Sequence, residues 1–454
     1  MRVAIVGSGP SGFYAAGHLL KARPDAEVDV FERLATPWGL VRGGVAPDHP
    51  KIKSVARVFE KTAADPRLRF FGNVEVGADV AHDELCAWYD AVVYAVGTPV
   101  GRRAGLPGGE LPGAHTATEF VGWYNGHPDH RDLEIDLLSA QRAVVIGHGN
   151  VAVDVARMLC LTRAELAATD IADHALEVLA TAPVREIVLV GRRGPEQAAF
   201  TTPELLELGE LADADVVVDE AELDVAAAVR EQDLDATARR NLDILARYAQ
   251  RRPQGRRKRI VLRFCASPVQ LLGHDRVRAI RLARNQLVRD AGGAVRARPT
   301  AETEDVPAGL VLEAIGYAGT PVAGVPFEAG RGLIPNDGAG RVVGDDGRPV
   351  AGAYVAGWVK RGPSGVIGTN KKCAQQTVDA LLGDVETGAL AVRGACPSGE
   401  EVEGRLRDRV GALVTYRDWQ AIDAHERALG VAAGGRPRVK LTRREDLLAF
   451  AGRG

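Results

Sequence analysis

Apolar positions in this chain come mostly as short unbroken runs, each closed by glycine and followed by a stretch that suits a helix. Val3, Ala4, Ile5 and Val6 form the first, ahead of Gly7-Ser8-Gly9-Pro10-Ser11-Gly12 and a helix-compatible run over 11–22. Residues 28–31 form the second, which ends in Glu32. Runs without polar alternation, bounded by turn residues, predict strands buried on both faces of a parallel sheet. The texture returns at 89–98, at 142–146 ahead of Gly147-His148-Gly149-Asn150-Val151-Ala152, at 186–190, at 311–317 and at 353–358. Helices are expected over 54–64, from Asn150 through Asp154 to about Leu161, and over 371–382. A further strand is expected over 67–76, and others over 260–264 and 277–287. Residues 34–53 hold too much Gly and Pro for regular structure, and 99–113 reads as a crossover. Residues 211–250 read as acidic and then alanine-rich and helical, and 397–454 as a charged, mostly helical packing segment.

Two of these strand-to-helix turns carry chemistry. At the first, Gly7 allows a tight turn, Gly9 lets backbone approach a pyrophosphate, and Gly12 lets the helix pack on the strand. Pro10 and Ser11 open the helix, whose free N–H groups suit phosphate. Glu32, at the end of the next strand, suits the hydroxyls of an adenosine ribose. The second turn is G-x-G-x-x-A, and the strand after it ends in Gly191-Arg192-Arg193 instead of an acid. Paired arginines fork onto a ribose 2′-phosphate, so the second nucleotide is read as NADP and the first as FAD. Two solvated surface arginines are the alternative. The prediction is an α/β fold of two Rossmann-like dinucleotide-binding domains, the NADP domain (103–316) inserted in the FAD domain (1–102 and 317–454).

Composition narrows this reading. The 454 residues are 46% hydrophobic and 26% charged with a net charge of −3, which gives no general attraction to nucleic acid. Cys86, Cys160, Cys265, Cys373 and Cys396 are scattered without a C-x-x-C pair. That spacing argues against a redox dithiol, an iron–sulfur cluster and a zinc ribbon, and no metal site is expected. No run of 18 apolar residues occurs, and the chain opens directly on a strand, so a cytoplasmic protein is expected. The densest basic run is 251–259, from Arg251 to Arg259. It reads either as a docking patch for an acidic partner, where charge steers encounter, or as an exposed loop without a partner.

The glycine turns, together with Thr36-Pro37-Trp38-Gly39-Leu40-Val41-Arg42, Val45-Ala46-Pro47-Asp48-His49-Pro50-Lys51, residues 191–195 and the run from Ala356-Gly357-Trp358 to Asn370, resemble the adrenodoxin-reductase-type ferredoxin–NADP reductases over nearly the whole chain. The resemblance implies hydride transfer from NADPH to FAD and single-electron transfer to a ferredoxin-type iron–sulfur protein. It implies FAD contacts from Ser11, Glu32, Leu40, Val76, Trp358, Gly365, Val366 and Ile367. It implies NADP pyrophosphate contacts from His148, Gly149, Asn150 and Val151, and 2′-phosphate contacts from Arg192 and Arg193. Glu204 and Gly365 would meet the nicotinamide end. His49, Glu207 and Asp154 are the implied catalytic candidates, for proton handling or nicotinamide orientation; His49 as a turn stabiliser and Glu207 as a solvated helix residue are the alternatives. Rivals of another kind are a glutamate-synthase-type subunit, which would carry a cysteine-rich domain ahead of Gly7, a non-catalytic flavin-binding redox sensor, and a flavin monooxygenase.

Overall fold

The computed structural model describes residues 1–223, 234–365 and 367–452. Part of the 211–250 stretch and Val366 therefore lie outside the described residues. The chain divides into two compact units, Met1–Val100 with Asn125–Pro128 and Tyr317–Gly454, and Gly101–Tyr124 with Asp129–Gly316.

The first unit is built on a six-stranded sheet in the order Arg341–Val343, Pro349–Val355, Ala91–Tyr94, Arg2–Val6, Glu27–Glu32, Leu68–Gly72. All neighbours are parallel except the Arg341–Val343 edge. Val3, Ala4 and Ile5 are wholly buried because helices cover both faces, which is why the run shows no alternation. The helices Pro10–Ala22 and Ile367–Glu386 pack on each other over one face. The latter starts four residues earlier than the sequence suggests, directly after the Gly365 turn. The strand expected over 67–76 ends at Gly72, where Asn73 takes a left-handed conformation (φ 60°). The 34–53 stretch is not wholly irregular: Leu40–Gly43 and Pro50–Lys53 are single helical turns, the second opened by Pro50 at its first position.

The tail is structural. In the helix Tyr416–Ala432, the fully buried Glu426 accepts from both Arg42 nitrogens at 2.8 and 2.6 Å and from the Leu441 amide at 2.9 Å. Burial alone would raise this carboxyl, but the Arg42 and Arg438 guanidiniums hold it below the usual carboxylate range. The tail thereby fastens the loop that carries Trp38 and Arg42.

The second unit has a six-stranded, all-parallel sheet in the order Ala114–Thr116, Leu310–Glu313, Arg142–Ile146, Glu186–Val190, Lys258–Arg263, Ala214–Val218. Ala214–Val218 is a strand in the acidic opening of the 211–250 stretch, where no strand was expected. Its Asp215 accepts the Gln254 and Arg256 amides, a long-range anchor with no local signature. An antiparallel sheet, Ala266–Leu272, Ala279–Arg289 and Val295–Pro307, lays Leu271, Ile280 and Leu282 against Val144, Ile146, Val188 and Val190.

Candidate functional site

In the first unit, the turn after Arg2–Val6 is closed by backbone contact. A Cβ on Gly12 would stand 2.0 Å from the Gly7 carbonyl oxygen, so helix and turn meet at a distance only glycine permits. Gly9 differs: the nearest atom to a Cβ there is the Gly39 Cα at 3.9 Å, which leaves the turn open where a pyrophosphate would approach. Glu32 accepts from the Ser8 amide (3.1 Å) and hydroxyl (2.6 Å) through one oxygen and from the Leu34 amide (2.9 Å) through the other. It braces the turn as well as marking the strand end, and the oxygen that accepts from Leu34 keeps a lone pair for a ribose hydroxyl.

The loop at 36–42 is pinned by Trp38. Its amide donates to the Ser8 carbonyl (3.1 Å), and its ring lies 4.6 Å from Phe13 and 6.3 Å from Trp419, centroid to centroid. Trp38 pays for this with φ 82°, unusual for a bulky residue and characteristic of functional loops. Leu40 follows with an exposed side chain, and Val76 is partly buried against Val80. His49 occupies the residue position before Pro50–Lys53 in this unit, without a side-chain capping bond.

The strand Pro349–Val355 runs parallel beside Ala91–Tyr94, so the residues leaving both strands reach the same edge. One side delivers Thr98, buried, with a hydroxyl that has no hydrogen-bond partner among the described residues. The other delivers Gly357 (φ 81°), where a Cβ would stand 2.1 Å from Ser11 Oγ, and then Trp358, whose buried indole N–H also lacks a partner. Unpaired buried donors are costly, and two beside an open phosphate turn fit a polar cofactor. Arg361 stitches the next turn together, donating to the Ser364 carbonyl and hydroxyl and, at 2.9 Å, to Asn370 Oδ1. Gly365 (φ 78°) precedes Ile367, the first residue of the long helix, so its amide end faces this turn.

In the second unit, a Cβ on Gly149 would meet nothing within 4 Å, so this turn too is open toward a ligand. Asn150 opens the helix Asn150–Cys160, with Val151 next, and its Oδ1 accepts the Thr201 amide at 2.8 Å. Thr201 occupies the cap position of the helix Thr202–Leu208, and the Thr202 hydroxyl donates to Asn241 at 2.7 Å. His148 is turned inward: its Nε2 meets the Leu189 carbonyl at 3.1 Å, and its ring packs 4.6 Å from Phe264. Burial pushes its pKa down to about 4, so it stays neutral and serves the turn through its backbone.

Arg192 and Arg193 form no hydrogen bond or ion pair within the described residues through their guanidiniums. Burial and the charges of Arg192 and Arg296 push Arg193 below its usual pKa. Sequence reasoning missed Arg296, which arrives from the distant strand Val295–Pro307 and carries no local signal. It also missed the buried Arg157, which reaches Asp154 at 2.5 Å and Glu207 at 3.4 Å. The Asp-x-x-Arg spacing on one helix was the available clue. Glu204 and Glu207 share the helix Thr202–Leu208.

Open glycine turns at the carboxyl ends of two parallel sheets, one answered by an acid and one by arginines, define an oxidoreductase that holds two dinucleotides. A family model described as pyridine nucleotide-disulphide oxidoreductase matches residues 1–189. The chain is 51% identical over 457 residues to the NADPH-ferredoxin reductase FprA of Mycobacterium tuberculosis, covering 98% of both chains. It is 41% identical over 466 residues to the mitochondrial NADPH:adrenodoxin oxidoreductase of Arabidopsis thaliana, covering 99% of this chain and 95% of that one. The solved structure of Mycobacterium tuberculosis FprA in complex with NADPH matches with a TM-score of 0.93 and 51% identity over 99% of each chain. The chain belongs to the adrenodoxin-reductase-type ferredoxin–NADP reductases.

Proposed function

We propose that the protein is an FAD-dependent NADPH:ferredoxin oxidoreductase. The observation that carries this is the contrast between Glu32, at the end of one second strand, and the unpartnered Arg192–Arg193 pair at the end of the other. FAD, when bound, supplies the conversion of a two-electron hydride donor into single electrons for a ferredoxin-type protein. On this reading the FAD domain is 1–102 with 317–454 and the NADP domain 103–316. Gly7, Gly9, Pro10, Ser11 and Gly12 receive the FAD pyrophosphate; Trp358 and the amides around Gly365 orient the flavin end. Gly149, Asn150 and Val151 receive the NADP pyrophosphate, and Arg192 and Arg193 the 2′-phosphate. Glu204 lies toward the nicotinamide, and His49, Asp154 and Glu207 manage proton and nicotinamide position, with Arg157 holding the last two.

For the partner, the reading extends to docking near Arg251–Arg259. Within that run Lys258 is buried and donates to the Leu159 carbonyl at 2.7 Å, Arg257 is held by Asp213 at 2.8 Å, and Arg259 pairs with Glu186. Arg251 and Arg252, both exposed, are the end that supports docking. No helix among the described residues is long and apolar enough to cross a membrane, and the reading places the protein in the cytoplasm.

The test is an anaerobic titration of the flavin absorbance with NADPH and, separately, NADH, then turnover with a ferredoxin coupled to cytochrome c. Bleaching by NADPH at lower concentration than NADH, followed by cytochrome reduction, is the expected result. A preparation without flavin, or flavin that NADPH cannot bleach, refutes the reading. Reversing the charges of Arg251 and Arg252 should slow only the ferredoxin-dependent step, and more at low salt.

A further inference from the structure

Parallel sheets bind their nucleotides beyond the carboxyl ends of the strands. A cavity lies at the other edge of the second unit's sheet. Its volume is about 810 Å³, and it is lined where three strands begin, by Arg142, Glu186, Lys258 and Arg259. A strand of this length spans roughly 16 Å, so the cavity stands well away from the Gly147–Asn150 turn at the far end of the same strands.

Its charge is one-sided. Seven cationic side chains line it against two acids, Glu186 and Asp215, in a chain whose net charge is −3. Both acids are already engaged: Glu186 by Arg142 and Arg259, Asp215 by the Gln254 and Arg256 amides. Arg185 is exposed and has no ion-pair partner among the described residues, and Arg278 has only a 3.3 Å contact to the exposed Asp275. The crowding is felt within the wall, where burial and the Arg257 and Arg185 charges push the Lys258 ammonium below its usual pKa.

We propose that this cavity is a second anion site, taking a small molecule that bears a chain of two or more phosphates. Concavity favours a small ligand over a protein face, since its size matches that of small-molecule pockets. Six of the seven cations are arginines, whose planar forks match phosphate oxygens in pairs. Asp213 holds Arg257 and Asp275 contacts Arg278 from outside the wall, so seven cations meet four acids, and two or more phosphates answer the remaining surplus of three positive charges where one phosphate does not. No cavity residue belongs to either dinucleotide turn, while residues 256–259 are shared with the run proposed for docking, which the test below separates.

The probe is inorganic tripolyphosphate, titrated calorimetrically into the flavin-loaded protein saturated with NADP⁺ at physiological ionic strength. The expected result is one saturable site that NADP⁺ does not displace. Arg185→Ala with Arg278→Ala, both exposed and outside the sheet core, should weaken it at least tenfold, while Arg192→Ala leaves it unchanged. ATP and GTP form the second arm: affinity equal to tripolyphosphate means the phosphate chain alone is read, and tighter binding means the base or ribose is read as well. Competition by NADP⁺, affinity unmoved by the double variant, or no saturable binding overturns the proposal. Weaker ferredoxin binding in the double variant, without tripolyphosphate binding in the parent, overturns it too and makes this face a protein contact.

Discussion

The two dinucleotide turns are built on one plan and finished differently. Both follow a buried five-residue strand, both open a helix, and both leave the middle glycine facing open space. At the first, the residue ending the next strand is an acid whose oxygens are already drawn to Ser8 and Leu34. At the second, the matching position holds arginines that repel each other and a third from a neighbouring hairpin. The scaffold therefore supplies phosphate affinity in both places, and the charge beyond the second strand selects which ribose is accepted. An acid is satisfied by its own turn and needs no ligand to be stable; the arginines are relieved only by an anion.

The strongest way to break the parallel is at the glycines. Gly12→Ala should cost the first unit about 3 kcal/mol through overpacking, read as a lower thermal midpoint and loss of bound flavin. Gly149→Ala should leave stability within about 0.5 kcal/mol, since its methyl meets no protein atom, and weaken NADPH binding alone. Next comes the charge: Arg192→Ala with Arg193→Ala removes two charge-assisted contacts of about 1.5 kcal/mol each, which raises the KM for NADPH about 100-fold and leaves that for NADH nearly unchanged. Steady-state kinetics with both coenzymes decides it. A smaller effect is expected from Glu32→Gln, which keeps the shape but weakens the bonds to Ser8 and Leu34; flavin retention on dilution should fall about tenfold with the NADPH site unaffected.

The effect that is smallest at neutral pH concerns His148. With a folded pKa of about 4 against an unfolded value of about 6.5, it stays neutral in the fold while the unfolded chain takes up a proton. Stability should therefore fall as pH drops below about 6.5, by about 2 kcal/mol at pH 5, and level off below about 4. Urea midpoints across that range should show His148→Gln without this share of the slope.

Much of this was legible in one dimension. A strand buried on both faces is recognisable from an unbroken apolar run, and the glycine spacing follows from what a turn, a phosphate and a close helix each require. The resemblance carried by the 36–51 and 356–370 runs narrowed the class further. The errors fall where partners are remote. The strand Ala214–Val218 depends on pairing with Lys258–Arg263, more than forty positions on, so its own residues read as something else. Likewise the differing roles within the basic run at 251–259 are set by remote partners: the fold buries Lys258 and ties the exposed Arg257 and Arg259 to Asp213 and Glu186.

The sequence by itself determined the order of strands, turns and helices and the sign of charge at each strand end, because backbone sterics and burial period are properties of consecutive residues. Tertiary structure alone decided which of those charges stay unsatisfied. It brings Arg296 to Arg193, encloses Glu426 between Arg42 and Arg438, buries the His148 ring against the Leu189 carbonyl, and carries Thr98 and Trp358 off neighbouring parallel strands. Each of these depends on the desolvation and proximity of groups far apart in the chain, and neither exists until the sheets have closed over them.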